Sequence, residues 1–358
     1  MRARSFIVQS AFARTRLRLE WFMQAQFPSE QSESGEFQRQ EDAFREWISA
    51  DESTPYPAVV GRYHLYISLA CPWASRTVIF RKLKRLEDAV SMTIVDPIRD
   101  ERGWAFRDPG GTTSASSFPS TDPINGFRFL SEAYRATDPN FDERVTVPVL
   151  WDKETKKIVN NCEDDICRMF NDAFDSLGKS SIDLFPKDID EEHAQLSDFI
   201  YENVNNGVYK AGFATRQRSY EISCKKLFEA LDELEERLSA SRFLFGNRII
   251  EADWRLFCTL VRFDVVYHGH FKCNIRRIVD YPNLQGYLMD LYQQPGIAET
   301  VNFNHIKRHY YVTHTGINPT GIVLIGPALD LTQPHGREKM SESAIGDRIV
   351  LSNSGFRS

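Results

Sequence analysis

The order of elements around Cys71 constrains this chain more than any other feature. Tyr63-His-Leu-Tyr-Ile67 alternates and is rich in β-formers, so it reads as a strand. Val78, Ile79, Leu83 and Leu86 recur at helical spacing and predict a helix over residues 73–86. Residues 90–95 read as a second strand. Strand, helix, strand in that order favours a parallel pair joined by a helical crossover. Pro72 suits the first helical position, where its missing N–H costs nothing, and this sets Cys71 at the helix N-cap. Unpaired N–H groups and the positive dipole end there favour the thiolate, which is the nucleophilic form. Arg76, one turn in, is expected to add positive charge. The alternative is a small buried residue that happens to precede a helix; the coincidence of strand, Cys-Pro and helix favours the reactive reading. A dithiol oxidoreductase places a second Cys three residues on, where this chain has Ala74. A mixed disulfide at Cys71 then needs an external thiol, and glutathione is the abundant one in reducing compartments.

Further along, residues 145–151 and 156–159 read as two strands joined by a turn-like segment. Val147-Pro148 stands inside the first. A cis bond there would leave the backbone of Val147 to an extended peptide ligand, whereas an ordinary trans edge proline would carry no such meaning. Joined to Cys71, the pair suggests a thioredoxin-like domain. Residues 162–174 read as a helix whose first turn carries Glu163, Asp164 and Asp165, which suits the dipole. Phe37, Phe44 and Trp47 predict a short amphipathic helix, preceded by a polar linker over residues 31–36. Residues 97–126 form a long Gly/Pro/Ser/Thr-rich loop, of a length that is functional or disordered.

From Asp188 the pattern turns helical. Residues 223–238 carry a stripe of Leu227, Leu231, Leu234 and Leu238. Residues 254–266 are apolar almost all round, as in a central buried helix, and residues 284–292 read as another. The expected architecture is an α/β domain followed by an all-α domain: a basic and polar extension over residues 1–34, a thioredoxin-like domain over 35–185, a helical domain over 186–312, and a tail over 313–358 whose last stretch is polar and mobile.

Composition narrows the function. The 358 residues carry a net charge of −6, which leaves no global basic field for nucleic acid. No apolar run approaches the ~18 residues of a membrane span. Six cysteines without a dense framework or paired CxxC modules point to reduced thiols and against a structural metal site. His268-Gly-His270-Phe-Lys-Cys273 reads as polar residues at a helix end rather than a metal centre. Arg2, Arg4, Arg14, Arg16 and Arg18 precede the first acid, Glu20. That is the composition of a mitochondrial transit peptide, or of a disordered basic arm or a poorly defined start; a cytoplasmic location is the main expectation.

The motifs together resemble those of glutathionyl-hydroquinone reductases, the Xi class of glutathione transferases. The residues that carry the resemblance are Gly61-Arg-Tyr-His-Leu-Tyr66, Ala70-Cys-Pro-Trp-Ala74, Gly103-Trp-Ala-Phe106, Val145-Thr-Val-Pro-Val-Leu-Trp151 and Asn206-Gly-Val-Tyr-Lys-Ala-Gly-Phe-Ala214. Leu260-Val-Arg-Phe-Asp264, Gly269-His-Phe-Lys-Cys-Asn274 and His305-Ile-Lys-Arg-His-Tyr-Tyr311 continue it, from about residue 35 to 336. The resemblance implies glutathione as co-substrate, a glutathionylated quinol or other small aromatic as substrate, and a homodimer. It implies that Cys71 attacks the substrate sulfur. Trp104, Arg144, Val147, Pro148 and Glu163 would hold glutathione. Tyr209 and Tyr310 would act at the aromatic site, with Tyr311 and Trp73 lining it.

Two departures stand out. Family members usually continue the Val159-Asn160-Asn161 strand end with Glu-Ser, which holds the γ-glutamyl end of glutathione; this chain has Cys162-Glu163. Three acids at a helix N-terminus are expected to compete with the ligand carboxylate and weaken binding. Losing one charge-assisted bond costs roughly 1.5–3 kcal/mol, about tenfold to over a hundredfold in affinity. The second departure is Ile250-Glu-Ala-Asp253, where the usual capping hydroxyl is gone; restoring it with Ile250→Thr is expected to raise the melting temperature. Two other functions compete: an omega-like thiol transferase or dehydroascorbate reductase, and a catalytically weakened binder of small aromatics, which the acidic run favours. Pairing of Cys162 with Cys71 stays open.

Overall fold

The computed structural model describes residues 28–340 except 52, 108–120, 176 and 179. The basic N-terminal arm, the polar last stretch and the middle of the 97–126 loop lie outside the described residues.

β1 (Ile48–Ser49) and β2 (Tyr56–Pro57) pair in parallel as a small separate sheet. The expected strand–helix–strand follows as β3 (Tyr63–Ile67), α1 (Pro72–Leu83) and β4 (Val90–Ile94), with β4 parallel to β3 and Leu65 opposite Met92. After α2 (Ser131–Thr137), β5 (Val149–Asp152) and β6 (Lys157–Asn160) form the expected hairpin. The sheet order is β4-β3-β5-β6, with β5 antiparallel to β3. Every residue of β3 is buried, as in a strand covered on both faces. α3 (Glu163–Asp172) packs against α1.

The rest is helical. α4 (Asp190–Ile200) runs through a π-helical turn, Tyr201–Asn205, towards α5 (Gly207–Gly212). α6 (Gln217–Ala240) buries Leu227, Leu231, Leu234 and Leu238. α7 (Glu251–Arg262) is buried along its whole length and packs on α1, α4 and α8 (Pro282–Tyr292), which makes it the expected central helix. A second π-helical turn, Phe263–Tyr267, follows, and α9 (Phe303–Thr313) closes the set. The α/β-then-all-α order is the one expected. Among the described residues no helix is long and apolar enough to cross a membrane.

Two local expectations fail. Phe37, Phe44 and Trp47 do not lie on a helix. Their segment runs extended beside β6: the Glu46 N–H donates to the Val159 carbonyl (3.0 Å) and the Asn161 N–H to that of Phe44 (3.0 Å). The rings go to separate places, Phe37 against Phe213 at 5.3 Å and Phe44 against Tyr134 at 5.7 Å, so their spacing records anchors and not a helical face. Residues 31–36 are a docked turn and not a linker. Gly35, at φ +82°, reverses the chain, and its carbonyl accepts the Thr215 N–H at 3.1 Å. The Ser34 carbonyl accepts the Ser219 hydroxyl at 2.7 Å.

Candidate active site

Cys71 is the N-cap of α1, with extended backbone (φ −76°, ψ 124°) and Pro72 directly after it, as expected. Its Sγ accepts the Ala74 N–H at 3.5 Å and donates to the Val147 carbonyl at 3.4 Å. The Val147-Pro148 bond is cis. Cys71 and Val147 therefore meet at the wall of a cavity of about 660 Å³ between the sheet domain and the helices. That volume lies within the range of small-molecule sites, roughly 300–1,000 Å³.

The electrostatics differ from the sequence expectation. Burial pushes the Cys71 thiol above its ordinary value, and Glu163 adds to the rise; the Ala74 and Trp73 N–H groups and Arg262 pull the other way without overcoming it. Arg76 does not serve the sulfur. Its guanidinium is held by Glu163 (3.2 Å), Asp164 and Glu251. The cation that reaches the Cys71 turn is Arg262, from the end of α7. Its Nε donates to the Ala70 carbonyl at 2.9 Å and its Nη2 to Leu69 at 3.0 Å and to the Cys71 carbonyl at 3.4 Å. Arg262 lies inside the Leu260–Asp264 motif, but nothing in its spacing signals a partner near residue 71.

One side of the cavity is aromatic. The Tyr209 and Tyr310 hydroxyls lie 2.5 Å apart, and Tyr267 bonds Tyr310 at 3.0 Å. One π-helical turn precedes Tyr209 and a second ends at Tyr267, a distortion common near functional sites. Gly212 lets Phe271 approach so closely that a Cβ would stand 2.2 Å from its ring, and Phe271 in turn supports Tyr209 at 5.3 Å. Burial raises all three phenols, so they keep their protons at neutral pH. Trp73 also lines the cavity, with the Arg39 guanidinium 3.9 Å over its ring.

The other side is polar. Trp104 lines it and stacks on His309 at 5.0 Å, and Arg99 lies 5.7 Å over the indole. Arg144 pairs with the buried Glu30. Burial, with Arg144 nearby, lowers Arg99 to about 9. Arg39 keeps one buried nitrogen, Nη2, without a partner. Glu30, Arg39, Arg99 and His309 were not singled out in the sequence, because irregular segments bring the first three to the cavity and nothing in the spacing of α9 marks His309.

Two expected residues do not line the cavity. The Tyr311 hydroxyl donates to the Val265 carbonyl at 3.4 Å and its ring packs on His270 at 4.8 Å; Pro148 sits behind Val147. The acidic run is less repulsive than expected. Asp164 is engaged by Arg76 and Arg255, and Asp165 by Arg45 at 2.5 Å. Burial and neighbouring Asp164 push Glu163 up to about 8, so it carries little charge at neutral pH. Cys162 and Cys71 both line the cavity and both are free thiols, as are the other four cysteines. His270 bonds His314 at 3.2 Å while Cys273 is buried elsewhere, so the 268–273 segment gathers no ligand set.

Residues 70–173 match the glutathione S-transferase N-terminal domain and residues 215–288 the C-terminal domain. Glutathionyl-hydroquinone reductase YqjG of Escherichia coli K12 is 51% identical over 316 residues, 86% of this chain and 94% of that protein. The chain belongs to the glutathionyl-hydroquinone reductases, the Xi class of glutathione transferases. Glutathionyl-hydroquinone reductase PcpF of Sphingobium chlorophenolicum is 46% identical over 300 residues, covering 84% and 92% of the two chains. The glutathione-bound structure of YqjG superposes with a TM-score of 0.78 over 83% of this chain and 96% of that one.

Proposed function

We propose that the chain reduces glutathionyl-hydroquinones to hydroquinones with glutathione as co-substrate. The observation that carries this is the convergence of the Cys71 sulfur, the Val147 backbone and the Tyr209–Tyr310 hydroxyl pair on one cavity. The Cys71 thiolate attacks the thioether sulfur. A Cys71–glutathione disulfide forms, the aryl carbon–sulfur bond breaks, and its electron pair on carbon takes a proton. The cysteine is oxidised and the carbon reduced. A second glutathione thiolate then attacks the disulfide, releasing oxidised glutathione and the Cys71 thiolate. Buried, protonated phenols suit the proton-donating or hydrogen-bonding role beside the leaving carbon. Val147 offers backbone to the peptide of glutathione, Trp104 a flat wall, and Arg39, Arg99 and Arg144 positive charge for its carboxylates.

Six reduced thiols and a glutathione-consuming reaction fit a reducing compartment, with the cytoplasm as the location. The chain acts as a homodimer. Exposed Ile322, Leu324 and Ile325, on the strap after α9, are the apolar surface that a second copy would cover. Light scattering tests the dimer. Turnover of glutathionyl-menadiol by the wild type and by Cys71→Ser tests the activity: rapid turnover lost in the variant supports it, and a wild type without turnover overturns it.

A further inference from the structure

In this chain α3 no longer offers a carboxylate at the first position of the family's Glu-Ser pair, because Cys162 stands there. A carboxylate reaches that point from another segment. Asp42 lies on the extended run beside β6. A carboxylate oxygen of Asp42, Sγ of Cys162 and a carboxylate oxygen of Glu163 lie within 4.8 Å of one another, and the Cys162 thiol bonds the Asp42 carboxylate. Asp42 and Cys162 both line the cavity.

The state of the neighbours singles Asp42 out. Asp164 and Asp165 are held by arginines, and Glu163 keeps its proton near neutrality. Among the described residues Asp42 makes no ion pair; Arg45 and Arg39 act on it only from a distance. Burial lifts Asp42 to about 6, against the pull of the Cys162 thiol and of Arg45 and Arg39. The unpartnered Nη2 of Arg39 lines the same cavity. A ligand end that carries both an ammonium and a carboxylate would answer both groups.

We infer that Asp42 holds the α-ammonium group of glutathione, in the role of the carboxylate that α3 has lost to Cys162. This assignment rests on glutathione being the ligand. It makes Asp42 a specificity-determining residue outside the family motif, and it reverses the expectation that the Cys-Glu departure weakens binding.

The test is calorimetric titration at neutral pH with glutathione and with its des-amino analogue, in which a glutaryl group replaces the γ-glutamyl group. The wild type is expected to prefer glutathione by about tenfold or more, the worth of one charge-assisted bond. Asp42→Asn should bring the two affinities within about twofold, and adding Cys162→Glu to that variant should restore the preference. A wild type that binds both ligands equally overturns the assignment alone, as does an Asp42→Asn protein that keeps the full preference. A wild type that binds neither overturns the functional reading as well. The wild-type comparison needs no variant to fold.

Discussion

The hydroxyls of Tyr209 and Tyr310 share a hydrogen bond 2.5 Å long, although 101 positions separate them in the chain. α5 and α9 supply one each, and Tyr267 extends the chain of hydroxyls. Phenols held protonated beside Cys71 would serve the proposed reaction, which ends by protonating carbon; they would offer little to a thiol exchange between sulfurs. Tyr209→Phe is therefore expected to lower kcat for a glutathionyl-hydroquinone by about 10²–10⁴-fold, the usual worth of a positioned proton donor. Exchange with a small glutathione mixed disulfide should stay near wild type. Tyr310→Phe should act alike, and the double variant should add little, because the pair works as a unit. Steady-state kinetics on both substrates checks this; an equal loss on the two would show the tyrosines to be packing residues.

The Cys71 thiol should alkylate slowly at neutral pH in the ligand-free protein. Burial raises it and Glu163 adds to the rise, against two N–H groups and Arg262. A raised pKa means that the thiolate fraction, and with it the iodoacetamide rate, climbs with pH and reaches half its maximum above the value of about 8.5 for a free cysteine. Turnover at neutral pH then proceeds through less thiolate than the few per cent that an ordinary cysteine supplies. Glu163→Gln should move the profile to lower pH. A plateau already reached at pH ~7 would show the helix terminus to dominate after all.

Ile250→Thr should not stabilise the protein, contrary to the capping expectation. Half of the cap survives: the Asp253 carboxylate accepts the Ile250 N–H at 2.9 Å, and it also takes the Leu244 N–H at 3.0 Å and the Tyr287 hydroxyl at 2.8 Å. A threonine hydroxyl would add about 1 kcal/mol at the N-cap. Ile250 is only 1% exposed, however, and most of the roughly 1.5–3 kcal/mol from burying such a side chain would go. A melting temperature equal to or below wild type is expected; a clear rise would mean that the site tolerates a hydroxyl in place of the ethyl group.

Much of the fold was legible because it rests on local pattern. The β3–α1–β4 unit, the leucine stripe of α6 and the apolar surround of α7 each repeat at the period of their element. The N-cap place of Cys71 was legible because it depends on a strand end and a following proline. Arg39, Arg262 and Asp42 were not, because each acts on residues far away in sequence and no periodicity encodes the meeting. The misread helix at residues 37–47 has the same root. Phe37 and Phe44 are anchored by separate parts of the fold, and their spacing imitates a face that does not exist.

Glu251 should prove a stability centre. It is fully buried and takes Arg76 of α1, Arg255 one turn on at 3.1 Å, and His193 of α4 at 3.0 Å. Against burial, which raises it, Arg255, Arg76 and the hydrogen bond to His193 hold its carboxyl well below the usual range. Removing one partner of a buried ionic cluster leaves the others uncompensated, so Glu251→Gln is expected to cost about 3–5 kcal/mol in urea unfolding. Asp188→Asn, which breaks the solvent-exposed pair with Arg248, should change nothing measurable. Comparable midpoints for the two variants would refute the distinction.

His64 should make folding sensitive to mild acid. It is the second residue of β3, 1% exposed, with Nδ1 bonded to the Ser91 hydroxyl at 2.7 Å and Nε2 to that of Thr93 at 2.9 Å. Burial, helped by Lys153 and Arg81, lowers it to about 3. The unfolded chain, with an ordinary histidine near 6.5, takes up a proton as pH falls through 6.5, while the folded chain does not until much lower. The stability is therefore present above about 6.5 and lost progressively as pH falls towards 3; between neutrality and pH 5 the loss is about 2 kcal/mol. Asp253, which burial raises to about 6, works in the opposite sense, so the total slope does not isolate His64. His64→Gln does: its urea midpoint should fall less steeply with acid than that of the wild type, by the share of one proton. Parallel curves would mean that His64 titrates alike in the folded and the unfolded chain and would overturn the prediction.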